Sequence, residues 1–212
     1  MTRVAIIDYG MGNRRSVQKA LEHVGAHAAI TRDHDELRAA EGLVLPGVGA
    51  FPMAMRNLRD LGLDELIGER VADGVPLLGI CLGMQLLFDA SEEMGGAAGL
   101  RLISGEVRGL DGRGLRIPHI GWNEVRFQRA SPLTVEVPGA DCPFYHVHSF
   151  AARPDDPDTV IGTTEYGERF ATIVSRDAVF GVQFHPEKSS RRGLRMLQGF
   201  VGVCASVVGA RA

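Results

Sequence analysis

Up to about Gly95, the sequence alternates short apolar runs with longer segments of helical periodicity. This order is typical of parallel β-strands joined by crossover helices, because each parallel connection must return across one face of the sheet. It therefore predicts an α/β protein. The predicted strands lie near residues 3–8, 28–31, 42–46 and 75–80, and the predicted helices near 13–24, 33–40, 51–60, 64–73 and 82–90.

Beyond Gly95 the apolar runs are shorter and are separated by glycine and proline, a pattern that favours antiparallel strands. One long helix is predicted near 191–208. With the first half, this pattern predicts a mixed sheet with a parallel core flanked by helices, formed by a single domain over residues 1–212. The later strands are predicted near 105–108, 115–117, 123–127, 134–137, 143–148, 159–164, 170–175 and 178–184.

The composition is that of an ordinary globular protein, with 45% hydrophobic residues, 23% charged residues and a formal net charge of -3. This balance gives no reason to expect binding to nucleic acid or to a membrane surface. The three cysteines, Cys81, Cys142 and Cys204, are too far apart for a disulfide framework or a paired zinc motif. With no apolar run of membrane-spanning length, the sequence predicts a cytoplasmic protein.

Residues 79–83, Gly-Ile-Cys-Leu-Gly, follow an apolar strand and precede an apolar helix. A nucleophile flanked in this way by glycines is typical of a nucleophile elbow, in which the chain turns sharply between strand and helix. The amides of the first helical turn would favour the thiolate of Cys81. The alternative for this motif alone is a buried structural cysteine.

A cysteine nucleophile needs a base, and residues 185–187, His-Pro-Glu, offer one at the end of another apolar run. On an extended stretch, residues two positions apart point the same way. His185 could then reach Cys81 while Glu187 accepts a hydrogen bond from the other ring nitrogen. An exposed loop is the alternative.

Attack on an acyl carbon also needs donors for the developing oxyanion, which backbone amides in a glycine-rich turn can supply. Residues 46–51, Pro-Gly-Val-Gly-Ala-Phe, follow the third predicted strand, so this turn should lie at the same sheet edge as the elbow. We expect the amide of Val48 or Gly49 and that of Leu82 to form the oxyanion hole. Phosphate binding by this turn is the alternative.

The motifs at 79–85 and 184–187 resemble the two signatures of class I glutamine amidotransferases. More specifically, the chain resembles the glutaminase subunits of imidazole glycerol phosphate synthases. Two departures are Arg14, where an apolar residue is usual, and Phe150, where tyrosine is common. The matching blocks are residues 8–13, 46–51, 118–123, 145–150 and 185–189.

The resemblance implies a three-layer, flavodoxin-like fold and assigns Cys81 as nucleophile, His185 as acid and base, and Glu187 as its orienting partner. It also implies that glutamine is bound by Gly49, Gln85, His148, Ser149 and Phe150. A buried, hydrogen-bonded histidine is the alternative for His148. His146 and His148 could also form a metal pair, but with no third ligand in the sequence we expect no metal.

A partner interface is expected at Asn13, Trp122, Asn123 and Lys188. An indole in a Gly-Trp-Asn turn is typical of interfaces, although a core position is the alternative for Trp122. For Lys188 the resemblance implies contact with the synthase subunit near the ammonia passage, and a solvated lysine is the alternative. Asn13 lies in a block that matches the same family.

The resemblance implies that the chain hydrolyses L-glutamine through a γ-glutamyl thioester, without a cofactor. Ammonia would pass to a (β/α)-barrel cyclase subunit, in a heterodimer that forms imidazole glycerol phosphate and aminoimidazole carboxamide ribotide in histidine biosynthesis. The alternatives are an amidotransferase subunit for anthranilate, pyridoxal phosphate or purine synthesis, a cysteine peptidase or other hydrolase, and a non-enzymatic interaction module.

Overall fold

The computed structural model describes residues 1–139 and 141–211, with side chains through residue 207. In this part of the chain the strands form two sheets, of nine and four strands. The strands are β1 (Arg3–Ile7), β2 (His27–Thr31), β3 (Gly42–Gly47), β4 (Leu77–Cys81), β5 (Ala90–Ser91), β6 (Ala97–Ala98), β7 (Gly105–Gly109), β8 (His119–Phe127), β9 (Asp141–His148), β10 (Phe150–Pro154), β11 (Val160–Tyr166), β12 (Glu168–Arg176) and β13 (Val179–Val182). The α-helices are α1 (Arg14–His23), α2 (His34–Ala39), α3 (Phe51–Asp60), α4 (Leu63–Ala72), α5 (Leu82–Gln85) and α6 (Ser190–Arg211), and 3-10 turns span Glu93–Gly95, Pro157–Thr159 and Pro186–Lys188.

The larger sheet has the strand order β2-β1-β3-β4-β13-β12-β11-β8-β9. Its first five strands run parallel, and the remaining four continue it as antiparallel neighbours. The central strands β3 and β4 are buried along their whole length, as expected for parallel strands that are covered on both faces. The predicted mixed sheet with a parallel core is therefore confirmed.

Each face of the larger sheet is covered by a separate hydrophobic cluster, and β1 shows how the two faces are separated. Its side chains alternate, with Val4 and Ile6 in one cluster and Ala5 and Ile7 in the other. The first cluster is completed by apolar side chains of α1 and α6. The second is completed by α2, α3 and α4 and by strands of the smaller sheet. These layers confirm the predicted flanking of the sheet by helices.

Three elements differ from the sequence-based predictions. The helix predicted over 82–90 has only the four residues of α5, because the next side chains are buried in turns that lead into β5. An apolar run buried on every side carries no periodicity that could have placed its end. The strands predicted at 115–117 and 134–137 are wrong, since both segments are turns or bends. The second of these turns is closed by bonds to the Ser131 carbonyl from the amides of Thr134 and Val135.

The smaller sheet, with strand order β10-β7-β5-β6, includes three strands that the sequence analysis missed: β5, β6 and β10. The missed strand β10 begins two residues after β9 ends, so that Ser149 alone lies between them. The chain passes at this corner from the larger sheet into the smaller one. Within the described residues, no helix combines the length and the hydropathy that crossing a bilayer requires.

Candidate active site

Cys81 is the last residue of β4 and immediately precedes α5. Its backbone has φ 56° and ψ -112°, a conformation that side-chain-bearing residues rarely adopt. Such strain persists only where the surrounding structure holds the chain, and it concentrates at functional sites. Here the parallel pairing of Gly47 with Cys81 holds the end of the strand in place. The backbone therefore has the sharp turn that the sequence predicted.

The glycines on either side of Cys81 are required by close contacts with the backbone. A Cβ atom at Gly83 would lie 1.7 Å from the carbonyl oxygen of Leu45 in β3. A Cβ atom at Gly79 would lie 2.6 Å from the carbonyl oxygen of Gly83. Both distances are far below contact range, so the elbow can pack against β3 only when these positions lack side chains.

His185 and Glu187 lie just beyond β13, the strand that pairs with β4 on its other side. His185 Nδ1 is 2.9 Å from Glu187 Oε1, and both side chains are buried. The amide of His185 donates to the carbonyl oxygen of Tyr145, which fixes the backbone at this point. The expected extended path through Glu187 is wrong, because residues 186–188 form a 3-10 turn. The turn nevertheless brings the carboxylate to the imidazole.

The charge state of His185 is set by competing effects. Burial by itself would lower its pKa, but hydrogen bonds to Cys81 and Glu187 and the negative charges of both groups outweigh burial and raise the pKa to about 9. Because Nδ1 faces Glu187, the other ring nitrogen is left for Cys81. This arrangement favours an imidazolium beside the sulfur. A proton can therefore be held and returned at this nitrogen.

Cys81, His185 and most of the other predicted site residues line one cavity of about 280 Å³. Lys188 also lines this cavity, although the sequence analysis assigned it to a partner interface. Three lining residues were missed: Glu93, Pro118 and Val147. The predicted residues in the lining are Val48, Gly49, Leu82, Gln85, His148, Ser149 and Phe150.

Glu93 is the one acidic residue lining this cavity in the part of the chain that the structure describes. One of its carboxylate oxygens accepts the backbone amide of Phe51 at 2.8 Å, which ties the carboxylate to the start of α3. Glu93 lies in a short 3-10 turn far from every recognised motif. Nothing in its local sequence distinguishes it from a solvated surface acid.

The loop after β3 carries Val48 and Gly49 along the edge of the cavity. Gly49 has φ 115°, which favours glycine, and Val48 is exposed although apolar. The loop after β1 packs against this segment, since a Cβ atom at Gly12 would lie 3.4 Å from the backbone at Pro46 and Gly47. The candidate oxyanion loop is thus supported by the chain on one side and open on the other.

Two of the predicted glutamine-binding side chains are already engaged within the protein. Gln85 Nε2 donates to the carbonyl oxygen of Phe150 at 2.9 Å and to Gln183 Oε1 at 3.1 Å. His148 Nδ1 bonds the same carbonyl oxygen at 2.8 Å, and burial lowers the pKa of His148 to about 3. His148 is therefore a neutral, hydrogen-bonded histidine, and its polar ring atoms are committed to the protein.

The predicted interface residues do not lie together. Trp122 is 54% exposed on one face of β8 and contacts Tyr145, whereas Asn123 points to the opposite face and donates to the carbonyl oxygen of Glu165. Asn13 precedes α1 and lines a separate open cavity. Ile120, which is 59% exposed on the same face as Trp122, was not singled out by the sequence analysis.

Arg14, one of the two departures noted in the sequence, forms an ion pair with Asp8. This contact holds the start of α1 against the end of β1. The metal pair considered for His146 and His148 has no third ligand in the described residues, where no three His, Cys, Asp or Glu side chains converge.

Comparison with known proteins gives a consistent result. The family described as Glutamine amidotransferase class-I matches residues 5–203. Proteins named "Imidazole glycerol phosphate synthase subunit HisH" are similar over nearly the full chain: 55% identity in Moorella thermoacetica, covering 94% of each chain, and 48% in Geobacillus thermodenitrificans, covering 96% of this chain and 97% of the relative. The HisH protein of Symbiobacterium thermophilum is 46% identical, covering 100% of this chain and 99% of its own.

Solved structures share the fold at much lower identity. A putative GMP synthase protein from Thermoplasma acidophilum has a TM-score of 0.75 at 20% identity, covering 100% of this chain and 98% of its own. PurLQS from Thermotoga maritima has a TM-score of 0.75 at 20% identity, covering 95% of this chain and 98% of the matched chain.

Proposed function

Because the chain belongs to the class I glutamine amidotransferases, and within them to the HisH subunits of imidazole glycerol phosphate synthase, we propose that it hydrolyses L-glutamine for that synthase. The observation that carries the chemistry is the convergence of Cys81, His185 and Glu187 at one cavity, with the His185 to Glu187 contact at 2.9 Å. We also propose that residues 1–212 form a single glutaminase domain.

In the first half of the reaction, the Cys81 thiolate attacks the side-chain amide carbon of glutamine and forms a C–S bond. His185 then gives its proton to the amide nitrogen, the C–N bond breaks, and ammonia leaves a γ-glutamyl thioester. In the second half, neutral His185 takes a proton from water as the water attacks the thioester. The C–S bond breaks, glutamate leaves, and the imidazolium and thiolate are restored.

Glu187 stays ionised throughout, orienting the imidazole and stabilising its positive charge. The oxyanion of each tetrahedral intermediate would be bound by the amides of Leu82 and of Val48 or Gly49. Leu82 follows the nucleophile, and the other two residues line the same cavity. Their positions support an oxyanion hole assembled from two neighbouring strand ends.

The rest of the cavity suits the amino-acid end of glutamine. The carboxylate of Glu93 provides a negative charge for the α-ammonium group, and the segment from His148 to Phe150 supplies backbone groups along the opposite side. Gln85 supports that segment through the carbonyl oxygen of Phe150. No cofactor is needed for this hydrolysis, because the nucleophile, the base and the oxyanion donors all come from the chain.

The relatives are named as subunits, so the chain acts with a partner subunit. We propose a (β/α)-barrel cyclase as that partner, in a heterodimer that forms imidazole glycerol phosphate and aminoimidazole carboxamide ribotide in histidine biosynthesis, and a cytoplasmic location for the pair. The exposed apolar side chains of Ile120 and Trp122 support a docking face on β8, and Lys188 lies at the cavity beneath it.

The experiment compares glutamate production by the isolated chain with production by the chain mixed with the ribotide substrate and the barrel subunit. The proposal expects glutamine hydrolysis that rises on mixing, together with imidazole glycerol phosphate as product. A peptidase would instead cleave peptides without any partner. Hydrolysis that responded only to an anthranilate, pyridoxal phosphate or purine synthase would assign the chain to another amidotransferase.

A further inference from the structure

Three histidines are buried side by side beneath β8 and β9, and the reaction described above uses none of their ring nitrogens. His119 comes from β8, and His146 and His148 come from β9. The ring of His119 stacks on that of Tyr166 with centroids 4.1 Å apart and on that of His146 at 5.0 Å. All three histidines are less than 7% exposed.

The proton positions in this group follow from one carbonyl group. The oxygen of Phe150 can only accept, so His148 Nδ1, at 2.8 Å, must carry the proton. Burial lowers the pKa of His148 to about 3 and that of His119 to about 4, so both rings are neutral at neutral pH. His148 Nε2 is therefore an acceptor, and His119 Nδ1, at 3.0 Å, must donate to it.

The same reasoning continues outward from His119. Its Nε2 is left as an acceptor, and Asn123 Nδ2 lies 3.3 Å away. The second proton of that amide goes to the carbonyl oxygen of Glu165, and Asn123 Oδ1 accepts the amide of Glu124. Every polar group along this line then has a partner that matches its role. The line has one direction, from Asn123 through His119 and His148 to the carbonyl of Phe150.

The inner end of the line is the wall of the substrate cavity. The Phe150 carbonyl oxygen that accepts from His148 also accepts from Gln85, and both residues line the cavity. Ser149, the corner between the two sheets, lies between them. The side chain of His148 therefore closes the corner onto the carbonyl of Phe150, and His119 sets which nitrogen of His148 is available to do so.

We infer that His119 is a positioning residue for glutamine binding, which acts through His148 to hold the cavity wall formed by His148, Ser149 and Phe150. This inference rests on the proposed function, since the cavity it concerns is the glutamine site. Without the donor on His119, His148 Nε2 would be buried without a partner, and the ring would gain by turning over. The Phe150 carbonyl would then lose its second hydrogen bond.

His146 provides a matched control within the same group. It is also fully buried and stacks on His119, but its nitrogens bond the carbonyl oxygen of Phe144 and the hydroxyl of Thr172. Neither contact involves a residue that lines the cavity. Replacing His146 disturbs the same core without touching the line that leads to Phe150.

The first test measures the KM for glutamine and kcat in the complex with the synthase subunit, for His119→Phe and His146→Phe. His119→Phe keeps an aromatic ring against Tyr166 but cannot donate to His148. We expect its KM to rise about tenfold, the scale of one buried hydrogen bond, with kcat within about threefold of wild type. His146→Phe should leave the KM unchanged. His119→Asn should recover much of the KM, because its amide can donate in place of Nδ1.

An unchanged KM in a folded His119→Phe variant would overturn the inference, as would an equal rise in His146→Phe. The second test is the ¹⁵N NMR spectrum of the histidine rings in the wild-type chain, which is independent of any variant's folding. We expect protonated Nδ1 and bare Nε2 in both His119 and His148, and a proton on Nε2 of His148 would refute the relay. If the wild-type complex itself failed to hydrolyse glutamine, the proposed function would fall instead, and the ring spectra would still decide the relay.

Discussion

Gly47 and Cys81 are paired neighbours at the ends of the parallel strands β3 and β4. The loop that carries Val48 and the nucleophile elbow consequently leave the sheet side by side at its carboxyl edge. Gly47 has no room for a side chain, because a Cβ atom there would lie 2.7 Å from the hydroxyl of Tyr9 and 2.8 Å from Leu82 Cβ. This close packing places the amides proposed for the oxyanion beside the proposed nucleophile.

Cys81→Ala should abolish glutamine-dependent product formation by the complex, because no other described thiol lies at the cavity. Product formation from ammonium salts should persist, since free ammonia bypasses the glutaminase step. Cys142→Ala and Cys204→Ala are the matched controls. Burial raises the pKa of both thiols, that of Cys204 to about 12, so neither should react with a glutamine-like electrophile. Labelling of Cys142 or Cys204 in preference to Cys81 would contradict the assignment.

His185→Ala should reduce glutamine turnover more than Glu187→Gln does. Loss of the acid and base costs about 10²-fold or more in general acid–base catalysis, whereas Glu187 only orients the ring and stabilises its charge. Glu187→Gln should also lower the pKa of His185, because a neutral amide no longer favours the imidazolium. Steady-state kinetics and the pH profile of Cys81 alkylation measure the two effects. Near-wild-type rates for both variants would show that the His-Pro-Glu segment has no part in the chemistry.

We expect the isolated chain to be nearly idle, because the glycine-flanked loop at Val48 can change peptide orientation and misdirect its amide until the partner binds. Trp122→Ala should weaken partner binding about tenfold, as truncation of an aromatic anchor commonly does. Lys188→Ala should impair partner binding or the coupling of the two activities. Alkylation of Cys81 by a small electrophile should be largely unchanged in both variants.

Val135→Ala is the control for these interface variants. Val135 is 75% exposed but lies in the turn beyond the far end of β8, away from His119 and the cavity. It should leave partner binding unchanged. The expectation of gating would fail if the isolated chain hydrolysed glutamine as fast as the complex with its ribotide substrate.

The buried histidines should make the protein less stable as the pH falls. Burial lowers the pKa of His146 well below its ordinary value, so the unfolded chain takes up a proton below about pH 6.5 that the folded chain does not bind. The free energy of unfolding should therefore drop between pH 7 and pH 5, by about 1–2 kcal/mol for such a histidine. His146→Phe should show a smaller drop over the same range in urea unfolding. An identical pH dependence in the variant would contradict this origin.

Local sequence determined the parts of the protein whose physical cause is local. The alternation of apolar runs and helical segments predicted the parallel core, because a buried strand and an amphipathic helix each carry their own periodicity. The glycines around Cys81 predicted the elbow for the same reason, since a tight backbone turn is a property of a few consecutive residues. The His-Pro-Glu segment was found as a motif, although its 3-10 conformation was not expected.

Tertiary structure decided the features that depend on residues distant in the sequence. Glu93 reaches the cavity because a short turn packs against the start of α3, and Asn123 turns away from Trp122 because alternate residues of β8 face opposite sides. The line from His119 through His148 to Phe150 joins two strands across 29 residues of sequence, and a single carbonyl oxygen fixes its protons. Sequence spacing carries local geometry, whereas hydrogen-bond partners and burial exist only after the strands have paired.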